Sequence, residues 1–564
     1  LIILVVIIMG ITALINKYTP TKKTEDLKEY FNISSDDEAA LIVDNELSDY
    51  KAKIIDKKIY VDYKFVHDSL NSRFYWDANE NVLLYTTASD IISAAADSNS
   101  YSVTKQTNDF GYPIVKATSD SALIALDYVK QYSNITVKSY DDPARIVITS
   151  KWDEIDSATV SNSTQIRVKG GIKSPILKEV KKDDKITILD SGDKWDKVAT
   201  EDGVIGYIKR KALSESKKTK LTNPDYEEET FTHIKKDKDI CLAWNQVTSQ
   251  SANSKVPQVI SSTKGINVMS PTWFYLNDNN GNLADIASKD YVSYCHSQGI
   301  EVWGLFSNLE NTDVDAAYVL THTSTRTTLI NQIMSAAFNY ELDGVNIDFE
   351  NITEAAYGDS YIEFIRELSI KCHNNGISLS VDVTVPASFN KFFNRSDMAN
   401  FADYIVIMGY DEHYKGSDAG SVSSIPWVTE GVESTLKEVP ADQIILGMPF
   451  YTRIWELTPK EDDDAVTDTE DQSKYTVASQ VYSMDAAAAQ LATNNATAAL
   501  DEESGQNYAE WSASNKLYKV WLEDSTSLEK RLKLVDDNKL AGAAFWKLGF
   551  ENSSVWDTVI KYLD

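Results

Sequence analysis

Two carboxylates and an amide alternate along one short, otherwise apolar segment of the sequence. In LDGVNIDFE, residues 342–350, the side chains of Asn346, Asp348 and Glu350 would share one face of a β-strand, because successive strand residues point to opposite faces. Moving such a polar row out of water is costly unless its groups pair with one another or act on a ligand. The segment is therefore a candidate site for chemistry that uses paired carboxylates.

The surroundings of this segment favour a buried, functional row. Helical patterns flank it, TTLINQIMSAAFNYEL before and YIEFIRELSIKCHNNG after, and Gly376 ends the second. A strand between two helices is expected to be central in a parallel sheet, where both faces are normally apolar. An edge strand with a solvated polar face is the structural alternative. The flanking helices favour the central strand, with Glu350 at its carboxyl end.

The elements that would position this strand recur along the sequence from about residue 239 onwards. Strand-like and helical segments alternate, which predicts a (β/α)8 TIM barrel, a fold of usually ~250 residues with its chemistry at the carboxyl ends of the strands. The eight predicted strands are residues 240–247, 266–271, 301–306, 344–349, 378–385, 404–410, 444–450 and 542–548.

The seventh and eighth predicted strands are separated by more sequence than one barrel helix requires. Residues 452–535 contain an acidic stretch, EDDDAVTDTEDQ, an Ala-rich helical segment near 485–500 and a strand-like segment, LYKVWLED. We therefore predict an inserted α+β lobe that walls the face carrying the candidate site.

The polar row resembles the signature of one enzyme family. LDGVNIDFE is similar to the DGxDxDxE motif of glycoside hydrolase family 18, and the resemblance covers about residues 239–564. Three further segments match in the same order: MGYDEHY from Met408, GMPFY from Gly447 and AFWKLG with Trp546. Asn346 departs from the motif, which has Asp there. This variant is similar to the spore-cortex and cell-wall N-acetylglucosaminidase branch of this chitinase-like family.

The resemblance implies a retaining glycosidase in which the substrate's own 2-acetamido oxygen is the nucleophile. It assigns the general acid to Glu350, and we expect burial and the charge of Asp348 to raise the pKa of Glu350. Asp348 would orient the acetamido N–H, and Tyr410 would donate a hydrogen bond to the acetyl oxygen. Asn346 is expected to hydrogen-bond Asp348.

Further residues are assigned to sugar binding or to structure. Trp546 would offer a flat floor for a pyranose ring, with packing in the barrel core as the alternative. Trp273 is a candidate for lining a glycan cleft. The resemblance also places Asn346, Met408, Asp411 and Tyr451 at the sugar, whereas Asp343 and Gly344 are assigned to structure.

The sequence before the barrel predicts two small modules. WDANENVLLYTT and YDDPARIVITS form a weak internal repeat within residues 46–152, which resemble the copper amine oxidase N-terminal-like domain, an accessory α+β module that holds no copper. Residues 157–213 contain five strand-like segments that predict a small β-barrel, and they resemble the bacterial Src-homology-3-like domain. Residues 16–45 are a predicted spacer and residues 214–238 a predicted linker.

Composition excludes several classes of partner and cofactor. Lys and Arg total 55 against 85 Asp and Glu, a formal charge of -30, so nucleic acid is not an expected partner. The three cysteines form no CxxC pair, and the six histidines include no HExxH or HxH pair. Neither a disulfide framework nor a histidine-based zinc centre is therefore predicted, and no cofactor or metal is expected.

Residues 1–15, LIILVVIIMGITALI, carry no charge and precede Lys17, Lys22 and Lys23. As a helix they would span about 22 Å, at ~1.5 Å per residue, against a hydrocarbon core of ~30 Å. Because the sequence begins at Leu1, we expect further apolar residues and a positive region upstream. We predict an uncleaved signal anchor, with a cleaved signal peptide and a buried helix as alternatives. The protein would then be anchored or secreted at the bacterial cell envelope.

These features predict a glycosidase acting on β-1,4-linked N-acetylglucosamine in peptidoglycan or a chitin-like polymer. The accessory modules and Asn346 favour peptidoglycan. A weakly active or inactive glycan-binding protein of the envelope or spore is the alternative, and a structural role for the N-terminal modules fits the same segments. The presence of Glu350, Asp348 and Tyr410 together favours the enzyme.

Overall fold

The computed structural model describes residues 2–350, 352, 355–460 and 471–563. Within it the chain divides into two compact units. The first consists of Leu1–Tyr85 and Ile92–Glu229, and the second of Thr86–Ile91 and Thr230–Asp564. Most of the acidic stretch predicted in the insertion, residues 461–470, lies outside the described residues.

In the described part of the second unit, eight parallel strands close into a barrel. Each strand pairs with the next one along the chain, and the first pairs with both the second and the eighth. The TIM barrel and its eight predicted strands are thereby confirmed. The strands, called one to eight below, are Ile240–Asn245, Val268–Leu276, Glu301–Ser307, Gly344–Asp348, Ser378–Thr384, Tyr404–Met408, Ile444–Pro449 and Gly542–Trp546.

The alternation of side chains along these strands builds two cores. Inward-facing residues such as Leu242, Trp303 and Val406 fill the barrel. Outward-facing residues such as Val345 and Val381 join a larger core with the surrounding helices. The helices around the barrel are Val256–Val259, Lys289–Ser297, Ala316–Thr321, Thr323–Tyr340, Ala355–His373, Arg395–Phe401, Ile425–Thr435, Ser525–Asn538 and Val555–Val559, with 3-10 turns at Gln250–Lys255, Ser388–Phe393 and Ala441–Gln443, and a short strand, Leu283–Asp285, beside strand two.

Local sequence signals set several helix ends. Gly376 follows the helix Ala355–His373 with a φ of +68°, a conformation that glycine adopts without strain. Asp524 caps the helix Ser525–Asn538 by accepting hydrogen bonds from the backbone N–H groups of Thr526 and Ser527.

The α+β insertion predicted between strands seven and eight is present and contains an antiparallel sheet. The helix Ser525–Asn538, however, belongs to the barrel, because Leu528 and Val535 pack in the core around it. The insertion therefore ends before Ser525, earlier than the predicted end at residue 535. Among the described residues, the inserted strands in sheet order are Tyr475–Ser483, Tyr451–Pro459, Lys516–Leu522, Gln506–Ala513 and Ala499–Asp501, accompanied by the helix Met484–Thr493 and the turn Gln472–Lys474.

Three sheets precede residue 230. In sheet order, the first contains Thr136–Tyr140, Arg145–Thr149, Glu38–Val43, Glu46–Ile55, Lys58–Asp62, Ala122–Ala125 and Val115–Ala117, with helices Leu27–Tyr30, Tyr63–Ser69 and Leu126–Tyr132. The second contains Phe74–Asp77, Val82–Thr86, Ile91–Ala95, Ser100–Val103 and Gln106–Asp109. The third contains Ile176–Val180, Thr164–Arg167, Ile205–Lys209, Trp195–Thr200, Lys185–Asp190, Glu154–Thr159 and Lys217–Lys220, with a 3-10 turn at Arg210–Ala212.

Two predicted connecting segments contain sheet strands. Glu38–Val43 was assigned to a spacer, but it is an inner strand of the first sheet. Successive residues of this strand are buried on opposite faces of the sheet: Leu41 packs in one core and Ile42 in another. Lys217–Lys220 was assigned to the linker, but it pairs with Glu154–Thr159. Backbone pairing with distant strands, which local composition does not reveal, explains both errors.

The first helix, Ile2–Tyr18, has 17 residues. No helix within the described residues combines the length and the apolar character needed to cross a membrane. The predicted membrane anchor is therefore not supported.

Candidate active site

A cavity of about 590 Å³ opens at the carboxyl ends of the barrel strands, the end at which TIM barrels carry their chemistry. Its walls come from strands one, four, five, six and eight and from the segments that follow them. The lining residues are Trp244, Asp348, Glu350, Asp382, Thr384, Val385, Pro386, Ala387, Phe389, Met408, Tyr410, Asp411, Glu412, Tyr414, Trp427 and Trp546. The structure thus brings together six of the nine residues predicted to act in catalysis or sugar binding: Asp348, Glu350, Met408, Tyr410, Asp411 and Trp546.

Asn346 lies below this cavity and is 0% exposed. Its Oδ1 accepts hydrogen bonds from Trp244 Nε1 (2.9 Å) and Ser270 Oγ (3.0 Å). Its Nδ2 donates to Ser380 Oγ (3.0 Å) and to Asp382 Oδ1 (2.7 Å). The expected hydrogen bond to Asp348 and the expected sugar contact were therefore wrong, because the amide is used by residues of strands one, two and five.

Asp348 is the first carboxylate of strand four that faces the cavity. It is 9% exposed, and its Oδ1 is buried without a hydrogen-bond partner. Burial raises the pKa of Asp348 well above its usual value, and the neighbouring charges of Asp382, Glu350 and Glu310 raise it further. A buried acceptor without a partner is costly, so this oxygen is available to a donor group on a ligand.

Glu350 follows the end of strand four and is exposed to the cavity. Its backbone N–H donates to Asn308 Oδ1 (3.1 Å), which ties this residue to the end of strand three. Loss of hydration raises the pKa of Glu350, and the charges of Asp411 and Glu310 raise it further. A carboxyl group whose pKa is raised in this way retains its proton at higher pH and suits the role of general acid.

Tyr410 follows strand six and lines the same cavity. Its ring packs edge-on against Trp244, with ring centroids 6.4 Å apart. Burial raises the pKa of Tyr410 well above its usual value, and the charges of Asp382, Asp348 and Glu350 raise it further. The hydroxyl therefore remains protonated and can donate a hydrogen bond.

Asp411 is the residue after Tyr410 in the sequence, and its backbone φ is +61°. Tyr451, which was predicted to touch sugar, does not line the cavity, because its hydroxyl donates a hydrogen bond to Asp411 Oδ1. Arg453 Nη2 lies 3.7 Å from the same oxygen. Tyr451 and Arg453 therefore hold Asp411 at the cavity wall.

Aromatic side chains form much of the remaining wall. Trp546 lines the cavity and packs against Trp244, with ring centroids 6.0 Å apart at 65°. Phe389 is 78% exposed and Tyr414 is 57% exposed, which leaves both rings available to a ligand. Phe389, Tyr414, Trp244 and Trp427 were not among the predicted site residues. Trp244 lies in the carboxyl half of the first predicted strand, and the other three follow the fifth or sixth predicted strand.

Trp273 does not line the cavity. It is 0% exposed, its Nε1 donates to Asn253 Oδ1 (2.7 Å), and its ring packs against Tyr291 with centroids 4.8 Å apart. The predicted contact with a glycan was wrong, because this side chain points from strand two into the core outside the barrel.

Asp343 and Gly344 position strand four. Asp343 Oδ2 accepts a hydrogen bond from the backbone N–H of Val302 (2.8 Å) on strand three. A Cβ atom on Gly344 would lie 2.5 Å from the ring of Trp303, so only glycine allows this approach. The structure therefore places both residues in supporting positions.

Asp382 is a cavity carboxylate that sequence analysis also missed. It is 3% exposed and faces inward from strand five. The signal was present in SLSVDVTV, where Ser378, Ser380, Asp382 and Thr384 alternate with apolar residues as the row on strand four does. Within the described residues, no group of three or more His, Cys, Asp or Glu side chains is arranged to hold a metal ion.

Residues 311–551 match the model of glycosyl hydrolases family 18. The chain is 24% identical over 301 residues to a protein of Bacillus subtilis (strain 168) named "Uncharacterized glycosylase YvbX", a match that covers 50% of this chain and 81% of that protein. It is 25% identical over 287 residues to the "Cortical fragment-lytic enzyme" of the same organism, covering 49% of this chain and 63% of that enzyme. More than a third of the second relative thus has no counterpart in the match.

Two solved structures show the same fold. A chitinase from Chromobacterium violaceum ATCC 12472 gives a TM-score of 0.50 at 20% identity, over 57% of this chain and 98% of that chain. The Bacillus cereus spore cortex-lytic enzyme SleL gives a TM-score of 0.51 at 18% identity, over 61% of this chain and 79% of that chain.

Proposed function

We propose that the C-terminal barrel, in which residues 311–551 match the model of glycosyl hydrolases family 18, is a glycosidase domain that hydrolyses the bond after N-acetylglucosamine in peptidoglycan. One observation carries the proposal. Asp348 presents a buried carboxylate oxygen without a partner to the cavity that also holds Glu350 and the hydroxyl of Tyr410. An acetamido group supplies both an N–H for the carboxylate and a carbonyl oxygen for the hydroxyl.

In the first step of the proposed reaction, Glu350 donates its proton to the glycosidic oxygen while the acetamido oxygen attacks the anomeric carbon. The bond to the leaving sugar breaks, and a positively charged oxazolinium ring forms. Asp348 accepts the acetamido N–H and stabilises this charge, and Tyr410 orients the acetyl oxygen. The raised pKa of Glu350 keeps the required proton on the acid at higher pH.

In the second step, the Glu350 carboxylate removes a proton from water as the water attacks the anomeric carbon. The oxazolinium ring opens, the acetamido group is regenerated, and Glu350 regains its proton. Two displacements at the same carbon retain the anomeric configuration. Trp546 would support the sugar ring during both steps by packing against its apolar face.

The names of the relatives favour cell-wall glycan as the substrate. A cortical fragment-lytic enzyme and a spore cortex-lytic enzyme are among the proteins that this barrel resembles. Action on this polymer would take place outside the cytoplasm, and we propose that location. Residues 46–152 and 157–213 would then be accessory modules that contact the wall, and binding of residues 16–235 to insoluble peptidoglycan tests that role.

Identification of the new reducing end tests the cleavage position. Purified peptidoglycan is digested, the products are reduced with borodeuteride, and the labelled sugar alcohol is identified by mass spectrometry. The proposal predicts labelled N-acetylglucosaminitol. Labelled muramicitol would overturn the assigned cleavage position. Cleavage of chitooligosaccharides by an enzyme that leaves peptidoglycan uncut would overturn the assigned substrate.

A further inference from the structure

Two buried carboxylates lie side by side on neighbouring strands of the barrel. Strands four and five pair in parallel, with Asn346 opposite Ser380 and Ile347 opposite Val381. The same register places Asp348 beside Asp382, and adjacent strands lie about 4.8 Å apart. Both side chains face the cavity, and each is less than a tenth exposed.

The hydrogen bonds of Asn346 fix the orientation of its amide. Because its Oδ1 accepts from Trp244 and Ser270, its Nδ2 must be the group that donates to Asp382. An amide neither binds nor releases a proton near neutral pH. Residue 346 therefore supplies a hydrogen bond to Asp382 but cannot share a proton with Asp348.

We propose that Asp382 is the carboxylate partner of Asp348, so that the two side chains bind one proton and carry one negative charge between them near neutral pH. This inference rests on the proposed function and gives Asp382 a positioning role, since it would act on substrate through Asp348. Two adjacent carboxylates in a site poor in water rarely ionise together. The partner that strand four lacks at residue 346 is thus supplied by strand five.

The surroundings distinguish the two members of the pair. Asp348 also faces Glu350 beyond its own strand, Glu310 after strand three and Tyr410 after strand six. Burial raises the pKa of both Asp348 and Asp382, whereas the hydrogen bond from Asn346 lowers that of Asp382. Before substrate binds, the proton therefore favours Asp348, whose Oδ1 has no partner, over Asp382, which accepts the hydrogen bond from Asn346.

Substrate would reverse this preference. An acetamido N–H at Asp348 and positive charge on the oxazolinium ring both favour the ionised form of Asp348. The proton released by Asp348 is then bound by Asp382, and the charge of the pair does not change. The pair thus supplies a carboxylate to the reacting sugar without placing two negative charges in the cavity.

Substitution of Asp382 tests whether its carboxyl group is needed for catalysis. Asp382→Asn keeps the shape of the side chain, and we expect kcat on a soluble chitooligosaccharide to fall about 100-fold, at the low end for lost proton-transfer catalysis, with KM little changed. In the wild type, protonated Asp382 stabilises ionised Asp348 by sharing its proton, and Asp382→Asn removes that proton, so the acidic limb of the pH profile should move to higher pH. Ser380→Ala removes a hydrogen bond of Asn346 without changing a charge and should not move that limb.

The double variant Asn346→Asp/Asp382→Ala returns a carboxylate to strand four. It should recover at least about tenfold in kcat over Asp382→Ala, which is about 1.4 kcal/mol in activation free energy. An Asp382→Asn variant with wild-type kcat and an unmoved acidic limb would overturn the proposal. A folded double variant no more active than Asp382→Ala would also overturn it.

A second measurement needs neither substrate nor activity. The unfolding midpoints of Asp348→Asn, Asp382→Asn and the variant carrying both changes are compared with wild type at pH 8. A pair that shares one proton predicts non-additive shifts, because either single change removes the coupling. Additive shifts would contradict the pairing. Failure of the glycosidase assay alone would contradict the proposed function and leave this result standing.

Discussion

Replacing Glu350 by Gln should abolish most hydrolysis of oligosaccharides while leaving the fold intact. The amide has the same shape but cannot donate the proton that the leaving oxygen needs. The side chain of Glu350 is exposed to the cavity, and the contact that anchors this residue comes from its backbone N–H to Asn308. The substitution therefore removes an acid without removing that anchor.

The expected loss for Glu350→Gln in kcat/KM is about 10²- to 10⁴-fold, or roughly 3–5 kcal/mol of transition-state stabilisation. An aryl glycoside of N-acetylglucosamine provides the matched comparison, because a phenolate departs with little help from an acid. Its kcat/KM, which reports on bond cleavage, should fall much less. Equal losses on both substrates, or an oligosaccharide kcat/KM above a tenth of wild type, would refute the assignment of Glu350 as the acid.

Four further results follow from the same structure. Glu310→Gln removes a charge that raises the pKa of Glu350, so the alkaline limb of the kcat/KM profile should move to lower pH; an unmoved limb would exclude this coupling. Asp348→Asn should raise the thermal unfolding midpoint at pH 8. The pKa of Asp348 is raised in the folded protein, so the contribution of this side chain to stability is complete below the unfolded pKa of about 3.9 and is lost as pH rises. The increase in unfolding midpoint that Asp348→Asn gives at pH 8 should therefore vanish in acid. Trp546→Ala should lower kcat/KM about tenfold if its ring contributes about 1.4 kcal/mol to sugar binding, whereas Trp273→Phe should alter stability without altering KM. Removal of residues 1–229 should spare the cleavage of soluble oligosaccharides and reduce that of insoluble peptidoglycan; equal loss on both would show that these residues support the barrel.

The barrel could be predicted from the sequence because its strands carry strong local patterns. LDGVNIDFE combines apolar residues on one face with Asn346, Asp348 and Glu350 on the other, and Gly376 marks the end of the following helix. The end of the insertion could not be placed, because the helix Ser525–Asn538 follows the inserted sheet directly. Only its packing in the core assigns this helix to the barrel.

The partners within the site depend on register between strands, which one sequence does not give. Asn346 was expected to bond Asp348 on its own strand, but the adjacent strand brings Asp382 within 2.7 Å of its amide. Trp273 shows the same limit: its aromatic character suggested a glycan contact, and only the fold reveals that it points into the outer core. Because the sequence does not reveal pairing between distant strands, Glu38–Val43 was wrongly assigned to a spacer.

Dependence on the substrate's acetyl group tests the central claim most directly. Two chitooligosaccharides are compared that differ only in the acetyl group of the sugar at the scissile bond, and initial rates are measured at the same pH. Because an internal nucleophile contributes a large effective concentration, loss of the acetyl group should reduce the rate by about 10³-fold or more. Comparable rates for the two substrates, or a covalent sugar ester trapped on Asp348, would contradict the account.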